Sequence, residues 1–83
     1  MKSFRVRVQV KFKDGILDPQ AEAISQALQS LEFSDVEKVE CEKAFVVHLK
    51  AESEKEAISQ GRKMAQDLLA NLVMENFEVE IAS

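Results

Sequence analysis

The side chains in this sequence suited to nucleophilic or base chemistry near neutral pH are a single cysteine, Cys41, and a single histidine, His48. A thiol becomes a nucleophile when a neighbouring cation or helix N-terminus holds it as the thiolate, and a histidine works as base or ligand only when other groups converge on it. Neither setting is visible. Cys41 falls on the inward side of a strand-like stretch and reads as a packed thiol; His48 falls on the outward side of the next such stretch and reads as an interface residue. One Cys cannot close an internal disulfide, and one Cys with one His offers no zinc spacing. The chain shows no Ser/His/Asp arrangement, no Gly-rich phosphate loop and no sheltered pair of acids, so no catalytic, cofactor-binding or metal residue is expected.

The chemistry left is that of contact and positioning, and it concentrates in Gly15-Ile16-Leu17-Asp18-Pro19-Gln20. The Asp18 carboxylate can accept from the free amides of a helix start, and Pro19 suits the first helical position, where no backbone donor is needed. The helix predicted from here runs to about Leu31. Ile24, Ala27, Leu28 and Leu31 form its apolar stripe, with Glu22, Ser25, Gln26 and Gln29 on the wet side. Ile16 and Leu17 are apolar where a surface loop would be polar, so both should be covered. Leu17 is expected to fold back on Ala23 or Ile24 as a hydrophobic staple, leaving Ile16 to meet the sheet or a partner subunit.

Around this junction, Phe4, Val6, Val8, Val10 and Phe12 alternate with Arg5, Arg7, Gln9 and Lys11, the period of a half-buried strand. Val36, Val39 and Cys41 suggest a second, less regular strand with a bulge, and Glu42-Lys43 a hairpin tip before a third strand. In that third strand Phe45, Val47 and Leu49 take the core side, and Ala44, Val46 and His48 the other. Ser53 and Glu56 make a capping box for a long second helix, whose stripe is Ala57, Ile58, Gly61, Met64, Ala65, Leu68 and Leu72. Gly61 implies close approach of another backbone, and Asn71 is expected as a left-handed C-terminal cap. Phe77, Val79 and Ile81 mark a fourth strand. The order βαββαβ predicts an α+β, ferredoxin-like split βαβ fold: an antiparallel four-stranded sheet with both helices on one face. Its first strand would lie between the third and the fourth, setting Arg5 and Arg7 against Glu78 and Glu80. The helix-free face, apolar at Ala44 and Val46, reads as an association surface.

At 83 residues, with 46% hydrophobic and 31% charged side chains, the chain is expected to form one domain over residues 1–83 and to gain from oligomerisation to at least a dimer. A net charge of −4 argues against nucleic acid as a partner, since phosphate-backbone binding needs a cationic surface. No apolar run reaches membrane-spanning length and the first residues do not read as a signal peptide, so no membrane partner and a cytoplasmic location are expected.

Ile16-Leu17-Asp18-Pro19-Gln20 followed by Ala23-Ile24 and Ala27-Leu28, then Val36-x-x-Val39 leading to Lys43 and Leu49, then Leu68-Leu69-Ala70-Asn71 with Val73, Met74, Glu75 and Phe77-Glu78-Val79-Glu80, together resemble PurS, the small subunit of phosphoribosylformylglycinamidine synthase. The blocks span nearly the whole chain in order. The resemblance implies a non-catalytic subunit of an ATP- and glutamine-dependent ligase in purine biosynthesis. A PurL synthetase subunit would activate formylglycinamide ribonucleotide with ATP, a PurQ glutaminase would release ammonia, and this chain would bridge the two. It also marks Ile16, Leu17, Asp18, Pro19, Gln20, Lys43 and Asn71 as motif candidates, beside Val46 and His48, which the outer sheet face offers as interface candidates. Departures fall at Ala21, Glu32 and Glu42, where the family carries glycine, at Glu40 in place of a basic residue, and at Leu72 where proline is common. Glu40 and Glu42 reverse the local charge, so an anion-contacting role there would survive only at Lys43.

The alternative is an ACT-type ligand-binding regulatory module, which shares the βαββαβ order and in which Gly15 would allow close approach of a ligand. An RNA-recognition module would need stacking aromatics on the outer sheet face, where this chain has Arg5, Arg7, Gln9, Ala44, Val46 and His48.

Overall fold

The computed structural model describes residues 1–82. The alternating run near the N-terminus forms β1 (Lys2–Phe12), with Val6, Val8 and Val10 at 0–1% exposure and the intervening side chains outward. The capped junction opens α1 (Pro19–Ser30). The chain then returns to the sheet as β2 (Glu42–Ala51), forms α2 (Glu54–Met64), continues through a π-helical turn (Ala65–Leu69) and closes with β3 (Glu75–Ile81). β1 is the middle strand, antiparallel to β2 from Lys2 opposite Ala51 to Lys11 opposite Glu42, and to β3 from Val6 opposite Ile81 to Phe12 opposite Glu75.

This is an α+β fold of two helices and a three-stranded antiparallel sheet, which corrects the expected four strands. The missing strand is 36–41. Val36 and Val39 are three residues apart, so an extended chain would point them to opposite faces and no single face would collect the apolar side chains. The segment instead turns tightly, with the Val36 amide donating to the Phe33 carbonyl (3.3 Å). The expected hairpin tip disappears with it, and Glu42 and Lys43 open β2 by pairing with Lys11 and Val10.

The expectation that both helices cover one face is corrected too. α2 lies across all three strands, and its small residues bring it close: Ala57 and Ala65 are fully buried, and a Cβ on Gly61 would meet a Val6 methyl at 2.8 Å and a Val79 methyl at 2.9 Å. The close approach inferred for Gly61 is there, made by side chains and not by backbone. α1 makes no more than glancing contact with the strands or with α2. Its stripe stays wet, with Ile24 at 39% and Leu31 at 67% exposure.

The π-helical turn explains a second shift. Each π turn takes up about one residue more than an α turn, which moves the buried stripe along by one position. Leu69 and Ala70 pack on the core where the α-helical period would have placed Leu68, and Leu68 is 83% exposed.

Candidate functional site

The Asp18 junction folds as its residues dictate. The carboxylate Oδ1 accepts from the amides of Gln20 (3.0 Å) and Ala21 (3.3 Å), and Pro19 occupies the first helical position. Gln20 itself is exposed. The turn before it needs Gly15, which adopts a left-handed φ of 83° with open space around it. Leu17 does not staple: it is 71% exposed, and Ala23 is exposed as well. Ile16, at 39%, is equally short of cover. The helix they precede is not held down on the sheet, so folding back would shield them only partly.

Between this junction and the coil at 37–41 lies an open cleft of about 390 Å³, into which Lys11, Asp14, Ala21, Lys38, Val39 and Cys41 all face. Cys41 is half-buried on its wall, where the sequence reading had a packed core thiol. On the rim Lys38 Nζ lies 2.9 Å from Glu40 Oε1. Their hydrogen bond and mutual charge hold the Lys38 ammonium above its ordinary pKa and the Glu40 carboxyl below its own. Both are fully solvated, so this is a surface ion pair and not a tuned acid and base.

The other candidates are dispersed. Lys43, on the helix-bearing face, lies 3.6 Å from Glu75 Oε2 and 5.9 Å from the centre of the Phe45 ring. Val46 and His48 are exposed on the opposite face, across from Arg7 and Arg5 of β1. Arg7 reaches Glu80 (3.8 Å) as expected, whereas Gln9 and not Arg5 stands opposite Glu78, and the Arg5 carbonyl accepts from the Ala82 amide. Asn71 is not a left-handed cap. Its Oδ1 accepts from the Val73 amide (3.1 Å) and its amide donates to Glu75 Oε1 (2.8 Å), forming the turn into β3. The left-handed cap is at the other helix: Glu32 has φ 73°, with the Glu32 amide on the Gln29 carbonyl (3.0 Å) and the Phe33 amide on the Leu28 carbonyl (3.0 Å), a Schellman motif with glutamate in the glycine position. That explains the glycine expected at this position.

Two apolar surfaces escaped the sequence reading. One is the uncovered stripe of α1, continued by Leu31 and Phe33 (57% exposed); the other is the tip formed by Leu68, Leu72 and Val73, at 83%, 46% and 81% exposure. A signal for the first was present: α1 carries one charged residue, Glu22, in 12 positions of a chain that is 31% charged. Loss of charge is the compositional mark of an interface core.

Among the described residues no group of three or more His, Cys, Asp or Glu is arranged to hold a metal, and no helix is long and apolar enough to cross a membrane. What the fold presents is apolar surface between capped helix starts, the make-up of a subunit that works by assembly. The chain belongs to the PurS family of phosphoribosylformylglycinamidine (FGAM) synthase, whose family model matches residues 5–83. It is 36% identical over 72 residues to the PurS subunit of Archaeoglobus fulgidus, covering 87% of this chain and 90% of that one. Its fold is similar to a solved structure of Methanocaldococcus jannaschii PurS, one of the subunits of formylglycinamide ribonucleotide amidotransferase in the purine biosynthetic pathway, with TM-score 0.86, 29% identity and 96% of each chain covered. It is equally similar to a chain in the structure of PurLQS from Thermotoga maritima, with TM-score 0.88, 27% identity, and 99% of this chain and 100% of that chain covered.

Proposed function

We propose that this chain is the non-catalytic PurS subunit of FGAM synthase in de novo purine biosynthesis, joining a PurL synthetase to a PurQ glutaminase so that ammonia released by one reaches the other. The supporting observation is the fit of nearly the whole chain to a chain of the PurLQS structure. A bridge needs contact surfaces and stable junctions, and needs no nucleophile or base of its own. The dispersed placement of Cys41, His48 and Lys43 agrees with that: the three occupy the cleft wall, the outer sheet face and the helix-bearing face. Such a subunit would act in the cytoplasm with its partner enzymes.

The test is reconstitution with the partner synthetase and glutaminase. Omitting this chain abolishes glutamine-dependent formation of formylglycinamidine ribonucleotide and spares the ammonia-dependent reaction, because ammonia supplied in bulk needs no bridge. Single Ala substitutions of His48, Cys41 or Lys43 leave the ammonia-dependent rate unchanged at saturating subunit. Collapse of that rate under saturation would place groups of this chain in the reaction and overturn the bridging role.

A further inference from the structure

The charge of this protein is unevenly placed. Residues 13–41 hold seven carboxylates and two lysines, a net −5, so the rest of the chain carries +1 of an overall −4. The helix-free face of the sheet is uneven in turn. Near the 13–41 arm its charges follow the ordinary cross-strand rule, with Lys11 opposite Glu42 and Gln9 opposite Glu78. At the far end they do not. Arg5 stands opposite His48, Lys50 lies two positions further along β2, and Arg7 follows on β1. Arg7 reaches Glu80 at 3.8 Å, and both side chains stay largely exposed. Side chains directly opposite on one face are about 5 Å apart at Cβ and diagonal ones about 7 to 8 Å, and like charges so placed weaken a sheet. A chain with 15 acids sets none of them at 48 or 50.

That cost is offset when opposite charge arrives from outside the chain. Val46, 41% exposed, lies in the middle of the cluster, opposite Arg7 and two positions before His48. An aliphatic centre flanked by arginines has the make-up of an interface core. The pleated face is flat, which fits a protein surface and not a small anion, since small ligands take concave sites. Its described residues include no Phe, Tyr or Trp on which a base could stack, and the −5 arm repels a phosphate backbone. A twofold contact of this half-face with itself would oppose cation to cation.

We propose that the half-face of Arg5, Arg7, His48 and Lys50, centred on Val46, docks on an acidic surface of the glutaminase subunit. The assignment rests on the bridging role and names one of its two contacts. The synthetase takes ATP and a ribonucleotide, both polyanions, and positive potential serves their capture; a cationic docking face would meet like charge there. The glutaminase acts on an uncharged side-chain amide and has no such demand, so the complementary acids belong on it.

The experiment is zero-length cross-linking of the reconstituted three-subunit complex with a carbodiimide, which joins an amine only to a carboxylate in contact with it. A cross-link from the Lys50 amine to a glutaminase Asp or Glu is expected. In the same mixture Lys50→Glu should raise the half-saturating concentration of this subunit in the glutamine-dependent reaction by more than about tenfold. Added salt should raise that concentration more steeply for the unmodified subunit than for the variant. Lys50 is exposed, so the variant is expected to fold, and circular dichroism checks it; should it not, the cross-link on the unmodified chain still decides. The docking is overturned by Lys50 joined only to the synthetase or only to a second copy of this chain, by a half-saturating concentration that Lys50→Glu leaves unchanged, or by protection of Lys50 from amine labelling by single-stranded RNA and not by the glutaminase. A glutamine-dependent rate that survives omission of this chain would overturn the bridging role and the docking with it. Loss of that rate on omission, with no cross-link from Lys50 to the glutaminase, would leave the bridge standing and remove this face from it.

Discussion

α1 and α2 have nearly equal lengths and opposite fates. α2 carries charges at Glu54, Lys55, Glu56 and Lys63, and its inner side is narrow: Ala57 and Gly61, with Ala65 at the start of the π-helical turn, let it sit directly on Val6 and Val79. α1 carries one charge, has larger apolar residues, and contributes only Ala21 to the buried set. Helix period alone does not distinguish them, because it says that a stripe must be covered and not by what. Charge and side-chain size do distinguish them. A charged outer face belongs to a helix whose other side is water; a neutral one belongs to a helix covered on more than one side.

The comparison can be broken most forcefully at Gly61. Gly61→Val adds two methyls on a Cβ that already has no room against Val6 and Val79, and should cost about 2 to 3 kcal/mol in a denaturant melt. By contrast Ala23→Val, on the exposed side of α1, should change the same melt by less than about 0.5 kcal/mol. Equal costs at the two sites would mean that α1 is packed as tightly as α2. Next in size is Asp18→Ala, which removes the acceptor for two amides at the start of α1 and should cost about 1 kcal/mol in the assembled protein. A slightly smaller gain is expected from Glu32→Gly, because glycine takes the left-handed φ without the Cβ penalty: about 0.5 to 1 kcal/mol of added stability, seen as a higher melting temperature. A fall in stability there would mean that the Glu32 side chain makes a contact worth more than the strain.

The smallest effect should come from the Lys38 and Glu40 pair. Glu40, with its folded pKa lowered, contributes above its unfolded pKa and loses that contribution as pH falls through the folded value; Lys38, with its pKa raised, contributes below its unfolded pKa and loses that as pH rises through the folded value. The pair is therefore intact across neutral pH and weakens at the acid and alkaline ends. Being fully exposed it is screened, so Glu40→Gln should leave the pH 7 melt unchanged within error at physiological salt.

Much of the fold was legible because its signals were local. The period of β1 from Phe4 to Phe12, the Asp18-Pro19 start of α1, the Ser53 cap with its Oγ accepting from the Glu56 amide (3.2 Å), and the central place of β1 all follow from neighbouring residues or from charge pairing across strands. The misreadings came where a local pattern was short or was changed by the chain around it. Val36, Val39 and Cys41 gave three apolar residues with inconsistent parity, and the π-helical turn displaced Leu68 by one position with nothing in its residue types to announce it. Of the candidate site, the capped junction was readable. Exposure of Leu17 was not, because it depends on whether α1 lies on this sheet or elsewhere.

The account rests on α2 being held by its own chain and α1 by assembly, and hydrogen exchange measured across a dilution series tests this directly. A free 12-residue helix is marginal in water. Amides of α1 (Pro19–Ser30) should therefore exchange slowly in concentrated protein and lose protection on dilution through the dimer dissociation constant, while those of α2 and β1 keep theirs. Protection of α1 that is unchanged in the dilute monomer, or loss of α2 protection in step with it, would contradict the account.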